Sequence, residues 1–269
     1  MSILLNVENL QIEAPGRSLV SGVSLSVGQG ERVGLIGESG SGKSLTALAI
    51  MGLLPDGMRA SGSITLDGHQ VIGARDRELV PLRGQSIATV FQEPMTALDP
   101  LMRIGKQVGL VVRRRALRDG RRTGKTEVSA EVRSLLERVS LPDPERIARS
   151  WPHEISGGQR QRAAIAMALA CRPKLLIADE PTTALDVTTQ AEILKLLEQL
   201  VRDEGMGLLF ISHDLPVVAA VTERALVLRD GKLIEEGPVA ALFTDPQLPY
   251  TQGLVAAARA FDAALEVAR

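Results

Sequence analysis

The run Gly37-Glu38-Ser39-Gly40-Ser41-Gly42-Lys43-Ser44 follows the apolar residues 33–36 and precedes residues 45–54, which have helical composition and stop before Pro55. A buried strand, a glycine-rich turn and a helix, in that order, are the setting a GxxxxGKS phosphate loop requires. Glycines let backbone amides turn inward around a nucleotide's phosphates. The helix behind them points its positive end at the same place, and Lys43 adds a point charge. Ser44 then offers a hydroxyl to Mg²⁺. A plain glycine-rich turn explains neither Lys43 nor Ser44. Kinases, GTPases and many ATPases share such a loop, so other elements must discriminate among them.

Around this loop, short apolar runs at residues 3–7, 19–27, 32–36 and 62–66 are separated by turns. Val23-Ser24-Leu25-Ser26-Val27 alternates as a half-exposed strand does, and Asp67-Gly68 predicts a hairpin. From about Pro94 to Trp151 the chain becomes polar and helical, with Val132, Leu135, Leu136 and Val139 on one helical face. Beyond it, residues 163–170, 175–178, 191–200, 207–211 and 225–228 alternate helix and strand, the pattern of a parallel sheet flanked by helices.

With 269 residues, 45% of them hydrophobic, the chain can bury a substantial core as one large α/β domain or two small ones. Aromatics make up 2%, too few for base-stacking surfaces, and 31 Lys and Arg against 32 Asp and Glu create no global field toward nucleic acid or anionic lipid. Nucleic acid is therefore excluded as a partner. Arg113, Arg114, Arg115, Arg118, Arg121 and Arg122 read as a solvated face. The single cysteine, Cys171, reads as a small buried hydrophobe and fits a reducing compartment. Residues 1–10 lack a basic region followed by an apolar one, so no signal peptide is expected. Nor does any apolar run approach the roughly 20 residues that span a bilayer. The expected location is cytoplasmic, with membrane attachment through partners.

Lys174-Leu175-Leu176-Ile177-Ala178-Asp179-Glu180-Pro181 is an apolar strand ending in two carboxylates, and the carboxyl ends of parallel strands are where α/β sheets hold ligands. Asp179 there can hold a Mg²⁺ shell, and Glu180 can polarise an attacking water. Ahead of it, Ile155-Ser156-Gly157-Gly158-Gln159-Arg160-Gln161-Arg162 resembles the signature motif of ABC ATPases, usually written LSGGQ, with Ile155 replacing Leu. Ser156 opens a helix with glycines at its start, so amides and a hydroxyl again face an anion.

The resemblance extends in the family's order from about Leu4 to Ala258. Gln92, in Val90-Phe91-Gln92-Glu93-Pro94, resembles the Q-loop that links the Mg²⁺ site to a transmembrane partner. Ala184-Leu185-Asp186 resembles the D-loop of the dimer interface, and His213 in Ile211-Ser212-His213-Asp214 resembles the switch histidine at the γ-phosphate. The implied fold is an α/β RecA-like P-loop core with an N-terminal antiparallel β subdomain and an inserted α-helical subdomain. Residues 1–93 and 161–245 would form the core with its β subdomain, 94–160 the helical subdomain with the signature, and 246–269 a C-terminal tail. The implied catalytic residues are Glu180, His213, Lys43 and Gln92. Residues Gly37, Glu38, Ser39, Gly40, Ser41, Gly42, Lys43 and Ser44 would bind ATP. Ser156, Gly157, Gly158 and Gln159 would reach the partner subunit's ATP, Asp186 would lie at the dimer interface, and Ser44, Gln92 and Asp179 would hold Mg²⁺. One element departs: where the family stacks adenine on an aromatic, this chain has Glu13-Ala14-Pro15-Gly16-Arg17, leaving Arg17 as the alternative.

Phe91-Gln92-Glu93-Pro94-Met95-Thr96-Ala97-Leu98-Asp99-Pro100 resembles the extended Q-loop of oligopeptide, dipeptide and nickel importer ATPases. Asp245-Pro246-Gln247-Leu248-Pro249-Tyr250-Thr251 resembles their His-Pro-Tyr-Thr element, with Leu248 in place of His. The ending at Arg269 lacks a cysteine-rich extension, so no iron–sulfur cluster is expected. The resemblance implies a second ABC ATPase subunit, as homo- or heterodimer, two permeases in the membrane, and an extracytoplasmic solute-binding protein acting through them. Two rivals stand beside an importer: an accessory ATPase of carbon–phosphorus bond cleavage, and an ABC-like module that binds ATP without turnover. The cargo stays open among dipeptide, oligopeptide, glutathione-like solute and nickel or a metal chelate.

Overall fold

The computed structural model describes residues 2–183 and 185–267. These form two compact units, one from the stretches up to Arg83 and from Val201 onward, the other from Gly84–Leu200. The first unit opens with β1 (Ile3–Ala14), β2 (Arg17–Gly28), β3 (Arg32–Ile36), α1 (Lys43–Ile50), β4 (Arg59–Leu66), β5 (His69–Gln70) and α2 (Asp76–Leu79). The second holds β6 (Ile87–Val90), α3 (Pro94–Ala97), α4 (Ile104–Arg118), α5 (Lys125–Arg138), α6 (Pro144–Arg149), α7 (Gly157–Ala170), β7 (Leu175–Asp179) and most of α8 (Val187–Glu204). The first unit then resumes with β8 (Gly207–Ser212), α9 (Leu215–Val221), β9 (Arg224–Arg229), β10 (Lys232–Pro238), α10 (Val239–Thr244) and α11 (Pro249–Val267).

In the first unit, β2, β1, β4 and β5 form an antiparallel sheet in that order. The Asp67-Gly68 hairpin forms as expected: both residues have positive φ, 49° and 80°, and Leu66 pairs with His69. β1 runs to Ala14, well past the apolar run at 3–7, because register shifts between Val7 and Leu10 let the chain continue pairing beyond the polar Glu8-Asn9. The second sheet of this unit has β3 between β8 and β9, parallel to both, with β10 antiparallel at the edge of β9. Val33, Leu35 and Ile36 of β3 and Leu208, Leu209, Phe210 and Ile211 of β8 are wholly buried, as the central strands of a parallel sheet must be. α1 ends at Ile50 rather than residue 54. The N–H of Gly52 bonds the Ala49 carbonyl and that of Leu53 bonds Leu48, a Schellman closure that stops the helix before Pro55 acts.

In the second unit β6 and β7 pair in parallel, with Val90 opposite Ala178. Helices α4 to α7 pack around an aliphatic centre to which α5 contributes Val128, Val132, Leu135 and Leu136, followed by the buried Val139. The arginine-rich stretch is not uniformly a solvated face. Arg115 is 5% exposed, paired with both carboxylate oxygens of Glu131 at 2.7 and 2.8 Å, and it donates to the Ala170 carbonyl at 3.0 Å. That fork ties α4 to α5 and to the negative end of α7. The other five arginines are exposed. Cys171, the C-cap of α7, is half-buried rather than buried; burial raises its thiol pKa while Arg118, Arg114 and Arg115 oppose the shift.

Candidate functional site

The phosphate-loop residues occupy the turn that the parallel β3 creates at its carboxyl end. Gly37 is required there by a close approach: a β-carbon would lie 2.3 Å from the Leu228 carbonyl oxygen and 2.6 Å from Ser41 Oγ. Gly42, at φ 102°, is the N-cap of α1, whose first amides have no partner within the helix and face the loop. Lys43 is 4% exposed, and its Nζ donates to the carbonyls of Gly37 at 2.7 Å and Glu38 at 2.9 Å. The loop is thereby curled around its own cation. Ser41 Oγ is buried with no hydrogen-bond partner among the described residues, a hydroxyl aimed into the curl. Glu38, Ser39, Gly40 and Ser44 are exposed at its mouth. A cradle of amides, a buried ammonium and an unsatisfied hydroxyl fits a polyphosphate.

Ile36 of β3 lies opposite Ser212 of β8, so His213 leaves its strand at the same end as the loop. It is held between Ser212, whose Oγ accepts from the Asp214 N–H at 3.0 Å, and Asp214, whose carboxylate caps α9 by accepting from Val217 N–H at 3.4 Å. Arg17 lies at the tip of the β1–β2 hairpin, exposed and opposite Ala14.

The second unit assembles the remaining residues. Gln92 follows β6, and Asp179 and Glu180 end and follow β7, at the same end of that parallel pair. Glu180 has φ 46°, a left-handed conformation that costs a non-glycine residue energy and is concentrated at functional sites. Thr183 Oγ1 donates to its carboxylate at 3.0 Å. A cavity of about 210 Å³ is lined by Gln92, Gly157, Gln161, Pro181 and Leu185, which places Gln92 and the start of α7 around one space.

Ser156 caps α7: its Oγ accepts from Gln159 N–H at 3.2 Å, and Gln159 Oε1 accepts from Ser156 N–H at 3.1 Å. This capping box uses the hydroxyl as an acceptor and leaves its proton free to donate. Asp186 caps α8 through Thr189 N–H and Thr189 Oγ1, at 3.0 and 2.8 Å, bonds that hold its carboxyl below the usual range. Ala184 of the same element lies outside the described residues.

Lys43, Ser44 and His213 therefore stand at one end of the first unit's strands, while Gln92, Asp179, Glu180, Ser156 and Asp186 belong to the second unit. Among the described residues no group of three or more His, Cys, Asp or Glu could hold a metal. Mg²⁺ needs none, since it keeps waters and takes few protein oxygens beside phosphate. The exposed Ser44 hydroxyl and the half-exposed Asp179 carboxylate are oxygens of that kind. No described helix is long and apolar enough to cross a membrane. Sequence reading missed one residue at the loop: Tyr250, whose hydroxyl accepts from the Glu38 N–H at 3.2 Å across 212 positions. Its local signal is the Pro249-Tyr250-Thr251 element.

Residues 20–183 match the family described as ABC transporter. A Brucella ovis protein named for peptide import ATP-binding is 50% identical over 243 residues, covering 88% of this chain and 70% of that relative. The oligopeptide transport ATP-binding protein OppD of Escherichia coli is 44% identical over 264 residues, covering 97% of this chain and 77% of its own. Among solved structures, the dimeric ATP-binding cassette MJ0796, in a post-hydrolysis state with ADP and Pi, superposes with a TM-score of 0.77 at 30% identity, over 87% of this chain and 98% of that one.

Proposed function

The chain belongs to the ABC transporter family of ATPases, and from that premise we propose that it hydrolyses ATP in a dimer to drive uptake of peptides, or a related solute such as nickel, through a membrane importer. The observation that supports this reading most is Lys43, buried within its loop with its ammonium donating to the Gly37 and Glu38 carbonyls, bonds that a phosphate can replace. In the proposed mechanism the loop amides, Lys43 and Ser41 bind the phosphates of ATP, and Ser44, Gln92 and Asp179 hold Mg²⁺. The bound ion supplies charge neutralisation on the phosphates. Glu180 accepts a proton from the attacking water and polarises it, while His213 donates a hydrogen bond toward the γ-phosphate. Ser156, Gly157, Gly158 and Gln159 serve the ATP of the opposing subunit, with Asp186 at that interface. ATP then closes the dimer and hydrolysis releases it, a two-state element that permeases can harness.

The partners in this proposal are a second ABC ATPase, identical or related, two permeases that hold the chain at the cytoplasmic face of the membrane, and an extracytoplasmic binding protein that selects cargo. Capture with tagged permeases tests it. The expected result is a stable complex whose ATPase rises when binding protein loaded with peptide is added. Co-purification with carbon–phosphorus bond-cleaving enzymes instead would overturn the transport assignment.

A further inference from the structure

Lys43 and Tyr250 hold opposite poles of one peptide group. The Gly37 carbonyl accepts from Lys43 Nζ at 2.7 Å, and the Glu38 N–H, at the other end of the same planar unit, donates to the Tyr250 hydroxyl at 3.2 Å. Tyr250 comes from the first turn of α11 and is itself fixed. The Arg229 guanidinium lies 4.8 Å from the centre of its ring, and the Glu235 carboxylate accepts from the N–H groups of Gln247 and Leu248 at 2.8 and 3.3 Å, seating the chain just before the helix. Arg229 closes β9, and in the turn after it Gly231 N–H donates to the Ser41 carbonyl at 3.1 Å. Burial raises the Tyr250 phenol above its ordinary pKa, so the hydroxyl stays neutral.

We propose that Tyr250 is a positioning residue for the phosphate loop, its hydroxyl fixing the Gly37–Glu38 peptide so that Lys43 and the loop amides are preset for a triphosphate. Were this peptide free to flip, the Gly37 carbonyl would turn away from Lys43 and an N–H would face the ammonium in its place. Holding it from the N–H side removes an ordering cost that binding otherwise bears. The inference rests on reading residues 37–44 as the nucleotide site.

The test uses the full chain, a fluorescent ATP analogue as probe, and steady-state ATPase of the complex with permeases. Tyr250→Phe keeps the ring and its contact with Arg229 but removes the hydroxyl. It should weaken the analogue about fivefold, the equivalent of one ordinary hydrogen bond. KM for ATP should rise by the same factor, with kcat and the nucleotide-free melting midpoint unchanged. Arg229→Met should shift affinity in the same direction by less. Wild-type affinity and KM in Tyr250→Phe would overturn the proposal, as would an affinity loss matched by a fall in the nucleotide-free midpoint. Lys43→Ala separates the two levels of the reading. Intact affinity there removes the nucleotide site itself, whereas lost affinity there beside a normal Tyr250→Phe removes only the positioning role.

Discussion

A β-carbon at Gly158 would lie 2.6 Å from Thr189 Cγ2, so the start of α7 meets the first turn of α8 with no room for a side chain. Thr189 cannot easily yield, because Asp186 grips both its N–H and its hydroxyl and a β-branched side chain is stiff at χ1. Gly158→Ala should therefore cost about 1–3 kcal/mol, as overpacking does, and lower ATP turnover by displacing the signature start. Urea denaturation and phosphate release check the two parts; an unchanged variant on both would show that this contact gives way freely.

Lys43→Ala leaves the carbonyls of Gly37 and Glu38 without their cation and removes the charge offered to the phosphates. Loss of a charge-assisted bond of about 1.5–3 kcal/mol corresponds to a roughly ten- to hundredfold weaker nucleotide affinity. A fluorescence titration measures it.

Ser156 has two duties that different substitutions separate. Ser156→Ala removes the cap, costing about 1 kcal/mol, and also the donor hydroxyl. Ser156→Asp keeps a capping oxygen but sets a negative charge where a phosphate is to dock. Both should lose turnover, while only the alanine variant loses stability. In mixed dimers the loss should fall on the opposing subunit's site, and a loss confined to the variant's own site would contradict the shared arrangement.

The phosphate loop, the Asp67-Gly68 hairpin and the strand ending at Asp179 were legible because each is specified by neighbours in sequence: turn chemistry, a strand's apolar run, a helix behind a glycine. The full length of β1 was not, since its register shifts are settled by pairing with β2 and β4. Arg115 sits among exposed arginines, and what takes it inside is Glu131 on another helix and a carbonyl 55 positions away. Tyr250 was visible only as a motif fragment. Its contact with Glu38 exists because β9, β10 and α11 return to β3, a long-range consequence of sheet order that no local pattern carries.

Glu235 ties the start of α11 to β10, which makes the tail sensitive to acid. Burial disfavours its charge, but the bonds it accepts near Thr251, Gln247 and Leu248 outweigh this and lower its pKa below the ordinary 4.5. A carboxylate depressed on folding contributes stability that is present above the unfolded value and lost as pH falls through the folded one. The melting midpoint should thus fall on acidification below about pH 4.5, and by less in Glu235→Gln, which should also be less stable at neutral pH. An identical pH profile in the variant would remove Glu235 from this role.

Glu180 carries the central claim, that this chain turns ATP over in a site completed by a second subunit. Its left-handed backbone sets the carboxylate just past the end of β7. The direct measurement is ATP binding, hydrolysis and dimer mass on Glu180→Gln. The account predicts wild-type ATP affinity, at least about a hundredfold loss of turnover as expected when a general base is removed, and a dimer that persists with ATP bound. Hydrolysis at the wild-type rate, or an ATP-saturated variant that stays monomeric, would contradict it.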